Sequence, residues 1–372
     1  MPTIFTRGAA SARGFGLFGG GPSIAGLWAW GINTYGALGI GNTVTKSSPN
    51  QIGALTTWSK LSAGKYFSLA VKTDGTLWAW GFGSNGVLGL GNTTRYYSPK
   101  QVGALTTWSA VAGLYDHSLA VKTDGTLWAW GGNGAGQLGL GNVTFYSSPQ
   151  QVGASTGWSS PMAGLQFSAA IRNGALYTWG QNNVGQLGLG NLTNYSSPKF
   201  VSNTWSKVSG GYRNTFAIKP TGTLFAWGQN NNGRLGIGNN TNYSSPKQIG
   251  ALTTWSKVSA GTNHSLAVKT DGTLWAWGIG QSGCLGLGNT TSYYSPMQVG
   301  ALTTWSNAVA GERNSLAVKT DGTLWAWGLG SYGKLGLGNT TNYSSPKQIG
   351  TATTWSTLPG SLFKNSAFAI AT

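Results

Sequence analysis

Acidic and imidazole side chains are the first candidates for catalytic chemistry, and this chain has few of them. Its 372 residues include six acids and two histidines, His117 and His264. Four acids occupy the same place in a repeated Asp-Gly turn, where Asp favours the turn: Asp74, Asp124, Asp271 and Asp321. Asp116 and Glu312 remain, and neither has a second carboxylate at a spacing that supports general acid–base catalysis. The sequence therefore predicts a protein that is not an enzyme, with no catalytic residues.

Other residues that could carry chemistry are equally sparse. Cys284 is the only cysteine, so no disulfide can form within the chain and no Cys/His cluster predicts a metal site. The recurring Gly-Leu-Gly-Asn segments could suggest a phosphate-binding loop, but no predicted helix follows them and the Gly-Lys-Ser/Thr signature is missing. We expect tight turns at these segments, and neither a cofactor nor a metal.

Positive charge is the strongest bulk signal. Lys and Arg number 23 against 6 Asp and Glu, which gives a net charge of +17 at pH 7. Such a field favours acidic partners such as nucleic acid, phosphate-rich surfaces or acidic polysaccharide. The lysines recur at fixed repeat positions, which predicts rings of charge rather than one patch and argues against nucleic acid. No apolar run predicts membrane insertion, and the N-terminus lacks the continuous apolar core of a signal peptide.

A long internal repeat must position all of these residues. The ten residues KTDGTLWAWG occur at Lys72–Gly81, Lys122–Gly131, Lys269–Gly278 and Lys319–Gly328, and looser copies bring the number to seven. The second Trp of each copy falls at 30, 80, 130, 179, 227, 277 and 327, so the step is 48 to 50 residues. A period of this length is typical of propellers and other repeat arrays.

One unit is enough to predict the local structure. Trp255–Ala260 predicts strand A and Ser265–Lys269 predicts strand B, which an Asp-Gly hairpin joins to strand C at Thr273–Gly278. A long C–D loop follows. Pro296–Val299 then predicts strand D, with the proline at its head and the strand at the edge of the sheet.

Seven such four-stranded antiparallel sheets can bury their faces only against one another. We therefore predict an all-β fold, a seven-bladed β-propeller. The chain begins with a strand C (27–31) and a strand D (Pro49–Ile52), and it ends with a strand A (Trp355–Leu358) and a strand B (Ser366–Ile370). These four strands should form one composite blade that closes the ring. The predicted domains are a Gly-rich flexible attachment arm at residues 1–25 and the propeller at residues 26–372.

The repeat also resembles a known family. In one unit the strand His117–Ala120, the turn Asp124–Gly125, the pair Trp130–Gly131, the loop Gly136–Gly139 and Pro149 follow the pattern of the regulator of chromosome condensation repeat. The resemblance covers residues 26–372 and implies a seven-bladed propeller with a composite closing blade. The family includes a nucleotide exchange factor, a protein inhibitor of β-lactamase and a plant ultraviolet-B photoreceptor, so the fold alone does not define one function.

The seven copies differ mainly at one end of the blades. The segments KTDGTLWAW and QVGALTTWS are nearly identical between several copies, whereas the A–B turns and the first residues of the C–D loops vary. In an up-and-down antiparallel blade these two connections lie on one face of the ring, and the B–C hairpin and D–A link lie on the other. Loops on a rigid scaffold are the usual place for binding. The alternative is that the turn sequences vary simply because nothing constrains them.

We therefore predict a ligand-binding surface on the variable face. Its A–B turns contribute Tyr66, Phe67, Tyr115, Asp116, His117, Gln166, Phe167, Tyr212, Arg213, Asn263, His264, Glu312 and Arg313. Its C–D loops contribute Tyr35 and Tyr332. The seventh A–B turn, at residues 361–365, belongs to the same surface. Aromatic side chains would stack against the ligand, while Arg and Asn side chains would form ion pairs or hydrogen bonds.

These expectations combine into a non-enzymatic binding propeller. The arm reads TRGAASARGFG from Thr6 and resembles virion proteins of environmental bacteriophages. This resemblance implies a tail-fibre or capsid-exterior protein, assembled in the bacterial cytoplasm, that joins other virion proteins through the arm. Its ligand would be a glycan or protein of the host surface. Two alternatives stay open: a regulatory protein-binding propeller such as a small-GTPase exchange factor, and a purely structural decoration protein of the virion.

Overall fold

Seven small antiparallel sheets form the protein. The computed structural model describes residues 25–360 and 366–372. Each sheet contains four strands, and the strands follow one another across the sheet in the order A, B, C, D. The predicted fold class, an all-β seven-bladed propeller with four antiparallel strands per blade, is therefore confirmed.

The described part of the chain contains 28 strands and four single-turn 3-10 helices. In chain order the strands are β1 (Gly26–Gly31), β2 (Lys46–Gln51), β3 (Trp58–Ala63), β4 (Phe67–Lys72), β5 (Leu77–Gly81), β6 (Tyr96–Gln101), β7 (Trp108–Gly113), β8 (His117–Lys122), β9 (Leu127–Gly131), β10 (Tyr146–Gln151), β11 (Trp158–Ala163), β12 (Phe167–Arg172), β13 (Ala175–Gly180), β14 (Tyr195–Ser202), β15 (Lys207–Gly210), β16 (Asn214–Ile218), β17 (Leu224–Gly228), β18 (Tyr243–Gln248), β19 (Trp255–Ala260), β20 (His264–Lys269), β21 (Leu274–Gly278), β22 (Tyr293–Gln298), β23 (Trp305–Ala310), β24 (Asn314–Lys319), β25 (Leu324–Gly328), β26 (Tyr343–Gln348), β27 (Trp355–Thr357) and β28 (Ser366–Ala371). The 3-10 helices open four of the C–D loops: Ser84–Gly86, Asn231–Gly233, Gln281–Gly283 and Ser331–Gly333.

The composite blade closes the ring as predicted, and we number it blade I. It contains β27 and β28 as strands A and B, and β1 and β2 as strands C and D. The pairing of β1 with β28 runs from Gly26 opposite Ala371 to Gly31 opposite Ser366. Blades II to VII follow in chain order from β3 to β26. Strands A of neighbouring blades contact one another, so they lie nearest the ring axis.

The bounds of strand D differ from the prediction. In blade VI strand A is as predicted, whereas strand D begins at Tyr293 rather than at Pro296 and ends at Gln298. Tyr293 pairs with Gly278 and Met297 pairs with Ala276, so Pro296 lies in a bulge between the two pairs. A proline lacks the N–H group that a ladder needs, and both a bulge and an edge strand tolerate this.

The second Trp of each repeat joins neighbouring blades, which explains why it recurs. Trp80 is fully buried, and its Nε1 donates a hydrogen bond at 2.8 Å to the carbonyl oxygen of Ala37 in the previous blade. Ser68 Oγ donates to the same oxygen at 2.9 Å. Equivalent bonds recur around the ring, so the repeated indoles pack blade on blade as predicted.

The position two residues before this Trp belongs to the opposite end of the blade and is itself Trp in five repeats, with Tyr177 and Phe225 in the other two. Trp78 Nε1 donates to Thr76 Oγ1, which donates in turn to Asp74 Oδ1 at 2.7 Å. Lys72 Nζ lies 3.9 Å from the centre of the Trp78 ring. The hydrogen bond from the Thr76 hydroxyl is the main cause that lowers the pKa of Asp74. The repeated aspartates are therefore turn formers, as predicted, and this network accounts for the constancy of KTDGTLW.

Candidate functional site

Backbone hydrogen bonds divide the ring connections into two faces. The first residue of a C–D loop donates to the A–B turn of the same blade, as Phe82 N does to Tyr66 O at 2.8 Å. We call this side the loop face. On the other side, the hairpin face, Thr73 N of a B–C hairpin donates to Thr57 O of a D–A link at 2.8 Å. Both variable sets of connections therefore share one face, as the sequence predicts.

A cluster of aromatic side chains crosses blades I and II on the loop face. Tyr35 comes from blade I, and its ring centre lies 4.3 Å from that of Tyr66 and 5.1 Å from that of Phe82, both from blade II. All three side chains are half-buried, so each keeps part of its surface in contact with solvent. We call these three residues, together with Tyr115 of blade III, the aromatic sector.

Two cations lie within the aromatic sector. Arg95 Cζ is 5.0 Å from the Tyr35 ring centre and 5.1 Å from that of Phe82. Lys65 Nζ is 4.3 Å from the Tyr115 ring centre and donates to Tyr115 Oη at 3.0 Å. Burial acts to lower the pKa of Lys65, but this hydrogen bond and the nearby tyrosines raise it overall. The sector is thus both apolar and positively charged.

Arginines replace the aromatic residues on blades V and VII. Arg213 and Arg313 occupy equivalent A–B turn positions and are partly exposed. Arg234 lies in the C–D loop of blade V, is 5% exposed, and donates to Thr262 O at 2.8 Å. Burial and, second, the like charge of Arg213 lower the pKa of Arg234 to about 10. We call Arg213 and Arg234 the arginine sector, and Arg313 holds the equivalent turn position two blades further along the ring.

Four of the predicted ligand-binding residues are buried instead of exposed. Phe67, His117, Phe167 and His264 are each the first residue of a strand B, and their exposure is 2% or less. The two histidines reach the next blade, where His264 Nε2 lies 2.8 Å from the hydroxyl of Ser315. Burial lowers the pKa of His264 to about 4. We therefore remove these four side chains from the ligand-binding surface.

The other predicted residues lie on the loop face at separate places. Gln166 and Asp116 hydrogen-bond to C–D loop side chains of their own blades, Gln166 Oε1 accepting from Gln181 at 3.2 Å. Asn263 Oδ1 accepts from Arg234. Tyr332 is 62% exposed. Tyr212 and Glu312 occupy A–B turns beside Arg213 and Arg313, and the predicted turn at residues 361–365 lies outside the described residues.

Four residues of these sectors are absent from the predicted binding surface: Lys65, Phe82, Arg95 and Arg234. Lys65 and Phe82 stand in the variable segments, so variability pointed to them. Arg95 comes late in a C–D loop, where only the chain reversal brings it back over Tyr35. Arg234 occupies a repeat position held by Ala37 and Val87 elsewhere.

Metal ligation and membrane insertion were also considered for the described residues. No group of three or more His, Cys, Asp or Glu side chains within residues 25–360 and 366–372 could hold a metal ion. In the same part of the chain no helix is long and apolar enough to cross a membrane. The aromatic rings and cations of the loop face can stack against a ligand, bind cations and hydrogen-bond to anions.

Comparisons with known proteins give the same fold. A model of the RCC1-like domain matches residues 25–309, and models of the regulator of chromosome condensation repeat match residues 306–334 and 321–357. Among solved structures, human WBSCR16 is 20% identical with a TM-score of 0.82, over 93% of this chain and 98% of that chain. No curated protein sequence gives a match.

A second solved relative comes from yeast. Prp20p of Saccharomyces cerevisiae is 18% identical with a TM-score of 0.81, over 94% of this chain and 92% of that chain, and its structure is described together with its binding to Gsp1p and histones. The same yeast protein, bound to Kap60, matches 99% of this chain with a TM-score of 0.81. At these identities the likeness concerns the fold. The family model spans most of the ring, and the chain therefore belongs to the RCC1-like domain family.

Proposed function

We propose that the protein is a non-enzymatic binding propeller whose loop face binds an acidic protein surface. The aromatic sector is the observation that carries this proposal. Tyr35, Tyr66 and Phe82 form one half-exposed aromatic cluster contributed by two blades, and Arg95 lies against it. Tyr and Arg are the residue types enriched in protein interfaces and in their energetic hot spots.

Charge favours an acidic partner. The chain carries a net charge of +17. On the loop face Arg95 lies against the ring of Tyr35, and Arg234 hydrogen-bonds to the side-chain amide of Asn263. A positive surface speeds the encounter with an acidic partner and disfavours basic ones. The structures of the yeast relative describe its binding to other proteins, so a protein partner is consistent with this proposal.

A pair of photo-crosslinking positions tests the proposal. A crosslinking amino acid in place of Tyr66 should capture an acidic protein from the source cells. The same amino acid in place of Leu105, which is 48% exposed on the hairpin face, should not. The captured protein, once purified, should bind the wild-type ring directly.

Substitution then measures the contribution of the sector. The triple variant Tyr35→Ala, Tyr66→Ala, Tyr115→Ala should weaken that binding at least about tenfold, since hot-spot side chains cost about 2 kcal/mol or more. Its melting temperature should stay close to that of the wild type, because the three side chains are partly exposed. Equal binding by the triple variant would reject the loop face as the binding surface.

A host-surface glycan is the second candidate, and the same tyrosines favour it. Partly exposed Tyr rings can stack against the apolar faces of sugars, and the arm resembles phage virion proteins. A glycan array read with the wild type and the triple variant tests this candidate. A saturable signal that the triple variant loses would favour a receptor-binding virion protein. Signal from neither protein, with the ring found on purified particles, would favour the decoration protein.

Exchange-factor activity has a direct assay of its own. The fold likeness to Prp20p motivates it, and Gsp1p loaded with a fluorescent nucleotide is the matched substrate. Faster nucleotide release on addition of the ring would assign this function. An unchanged release rate would remove it for this GTPase.

A further inference from the structure

Similar cavities recur between neighbouring blades, beside the D–A links of the hairpin face. The cavity between blades II and III has a volume of about 390 Å³. Blade II lines it with Leu90, Gln101 and Leu105, and blade III lines it with Trp108 and Pro149. Equivalent residues line cavities of about 330 to 450 Å³ between blades III and IV, V and VI, and VI and VII. Volumes in this range are typical of sites for small organic ligands.

Each of these cavities is lined by an indole whose N–H group has no partner. Trp108, the first residue of strand A in blade III, is 3% exposed, and no described residue accepts a hydrogen bond from its Nε1. The same atom is unpaired in the first residue of strand A of five other blades: Trp58, Trp158, Trp255, Trp305 and Trp355. Buried polar groups are nearly always paired, because an unpaired one costs about 1–3 kcal/mol. The repeat therefore presents the same unused donor at each of these blades.

Blade V shows where this N–H group points. There Trp205 Nε1 donates a hydrogen bond at 2.9 Å to Ser202 Oγ, at the end of strand D of blade IV. The ring centre of Trp205 lies 6.1 Å from that of Trp227, and the ring centre of Trp108 lies 6.3 Å from that of Trp130. Because the two indoles pack on strand C in the same way, Trp108 directs its N–H group toward the end of the preceding strand D.

Glycine leaves this space open in other blades. Ser202 follows Val201, and Gly103 follows Val102 in the same way. Gly103 lines the cavity, and nothing lies within 4 Å of a Cβ atom built on it. The equivalent glycines are equally open: Gly53, Gly153, Gly250 and Gly300. The Trp108 N–H group therefore points toward cavity space that an oxygen atom of a ligand can occupy.

The lining of the cavities is mostly neutral. In the described part of the chain no charged side chain lines those between blades II and III, V and VI, or VI and VII, and Arg172 lines the one between blades III and IV. Gln101 and Leu105 are exposed, so the cavity opens to solvent. Trp128 and Ser148 add an aromatic ring and a hydroxyl group. A neutral ligand with hydroxyl groups and apolar C–H surface matches this lining better than an ion does.

We propose that the inter-blade cavities bind sugar units of a neutral glycan. The Trp108 N–H group would donate to a hydroxyl oxygen of the sugar, and the Gln101 amide would hydrogen-bond to a second hydroxyl group. Leu105 and Trp128 would contact the apolar face of the sugar ring. The cavities repeat around the ring and a glycan repeats one unit along its chain, so a single polymer can engage several sites. These sites lie apart from the loop face and go beyond the proposed function.

Calorimetric titration of the full chain with neutral tetrasaccharides of glucose, mannose and N-acetylglucosamine tests the cavities. We expect saturable binding of at least one tetrasaccharide, with several sites per chain. A leucine variant that places a carboxylate at three cavities should lose the three corresponding sites: Leu105→Glu, Leu252→Glu and Leu302→Glu. Each of these leucines is 48% exposed, so the fold should tolerate the changes.

A matched control adds the same charge at apolar residues outside these cavities. It carries Val44→Glu, Val143→Glu and Leu192→Glu, at positions that are 56% to 60% exposed. This control variant should bind the tetrasaccharide like the wild type. The tyrosine triple variant should also keep all of its sugar sites, because its substitutions lie on the loop face. Loss of partner binding in that variant, with tetrasaccharide binding intact, separates the cavities from the proposed function.

Indole resonances test the hydrogen bond itself. In nuclear magnetic resonance spectra of the isotope-labelled chain, the Nε1–H signals of Trp108 and Trp305 should shift as the tetrasaccharide is added. The signal of Trp205 should stay in place, because this N–H group is already bonded to Ser202. Single Trp→Phe variants assign the signals.

Several results would overturn the proposal. One is the absence of saturable tetrasaccharide binding to the wild-type chain, and binding of a proline-rich peptide in its place would assign the cavities to a protein partner. Others are an unchanged number of sites in the leucine variant, or an equal loss in the control variant. Loss of sugar binding in the tyrosine triple variant would place the glycan on the loop face. If thermal unfolding shows that the leucine variant is misfolded, the wild-type indole signals decide, and unshifted signals reject the cavities.

Discussion

Trp30 Nε1 donates a hydrogen bond to the carbonyl oxygen of Lys334 at 3.0 Å, across 304 positions of the chain. An equivalent Trp Nε1 bond links each of the remaining pairs of adjacent blades, and here it joins blade I to blade VII. The ring therefore closes with its repeated contact. Closure depends on strand β28, which pairs with β1 and is buried along its whole length.

Removal of residues 366–372 should open the ring. The deletion takes away β28, exposes the paired edges of β1 and β27, and uncovers the core around Phe368, which is fully buried. Exposed edges and apolar faces promote association between chains. We expect the truncated chain to elute as aggregate in size-exclusion chromatography with light scattering. The variant Phe368→Ala keeps the strand and should stay monomer-sized but lose about 3–5 kcal/mol of stability. A truncated chain as stable and as small as the intact one would contradict the closure.

A pair of glycine variants separates backbone strain from packing. Gly89 has φ +72°, and a Cβ there would lie 2.8 Å from Trp130 Nε1. Gly103 has φ +62°, and nothing lies within 4 Å of its Cβ position. Gly103→Ala should cost about 1–2 kcal/mol for the left-handed backbone alone. Gly89→Ala should cost about 1–3 kcal/mol more, because the methyl group overpacks the blade interface. Chemical denaturation measures both, and equal losses would show that Trp130 does not constrain Gly89.

Stability should fall with acid in a window set by His264. Burial lowers the pKa of this imidazole to about 4, whereas an unfolded histidine has a pKa of about 6.5. Between these values the unfolded chain binds a proton that the folded chain does not, so folding stability declines as the pH drops from about 6.5 to about 4, by up to about 3 kcal/mol. The variant His264→Asn introduces the residue that stands at the equivalent positions Asn214 and Asn314. It should flatten the dependence of folding stability on pH over this window. Denaturation at a series of pH values measures it, and an unchanged slope would assign the effect to other groups.

Cys284 should be unreactive in the folded protein. The side chain is 1% exposed, Sγ donates to Ile279 O at 3.0 Å, and burial raises the pKa of the thiol to about 12. Only the thiolate attacks disulfide reagents, and this thiol is both protonated and inaccessible. Ellman's reagent at about pH 8 should detect the thiol only after denaturation. The variant Cys284→Gln introduces the residue that Gln137 provides at the equivalent position of blade III, and it serves as the thiol-free control. Rapid labelling of the native wild-type protein would contradict the burial of Cys284.

Comparison of the seven repeats was sufficient to predict the blade, the number of blades and the closing blade. Residues such as Trp80 and Asp74 recur because the equivalent residues form the same hydrogen bonds in other blades, so the structure of one repeat predicts that of its copies. The same regularity predicted which connections share a face. Strand D was misjudged because its proline lies in a bulge, and a bulge depends on pairing with strand C rather than on the local sequence.

The repeats alone were enough to predict the ring and its variable face, whereas packing between blades sets which variable side chains reach solvent and which contact one another. His264 and Asn263 are neighbours in one variable turn, yet the strand turns His264 into the blade interface and leaves Asn263 to bind Arg234. Tyr35 and Arg95 are 60 positions apart and come together because adjacent blades place their loops side by side. Variability marks a surface, but contact within it depends on side-chain direction and blade packing, which no single repeat encodes.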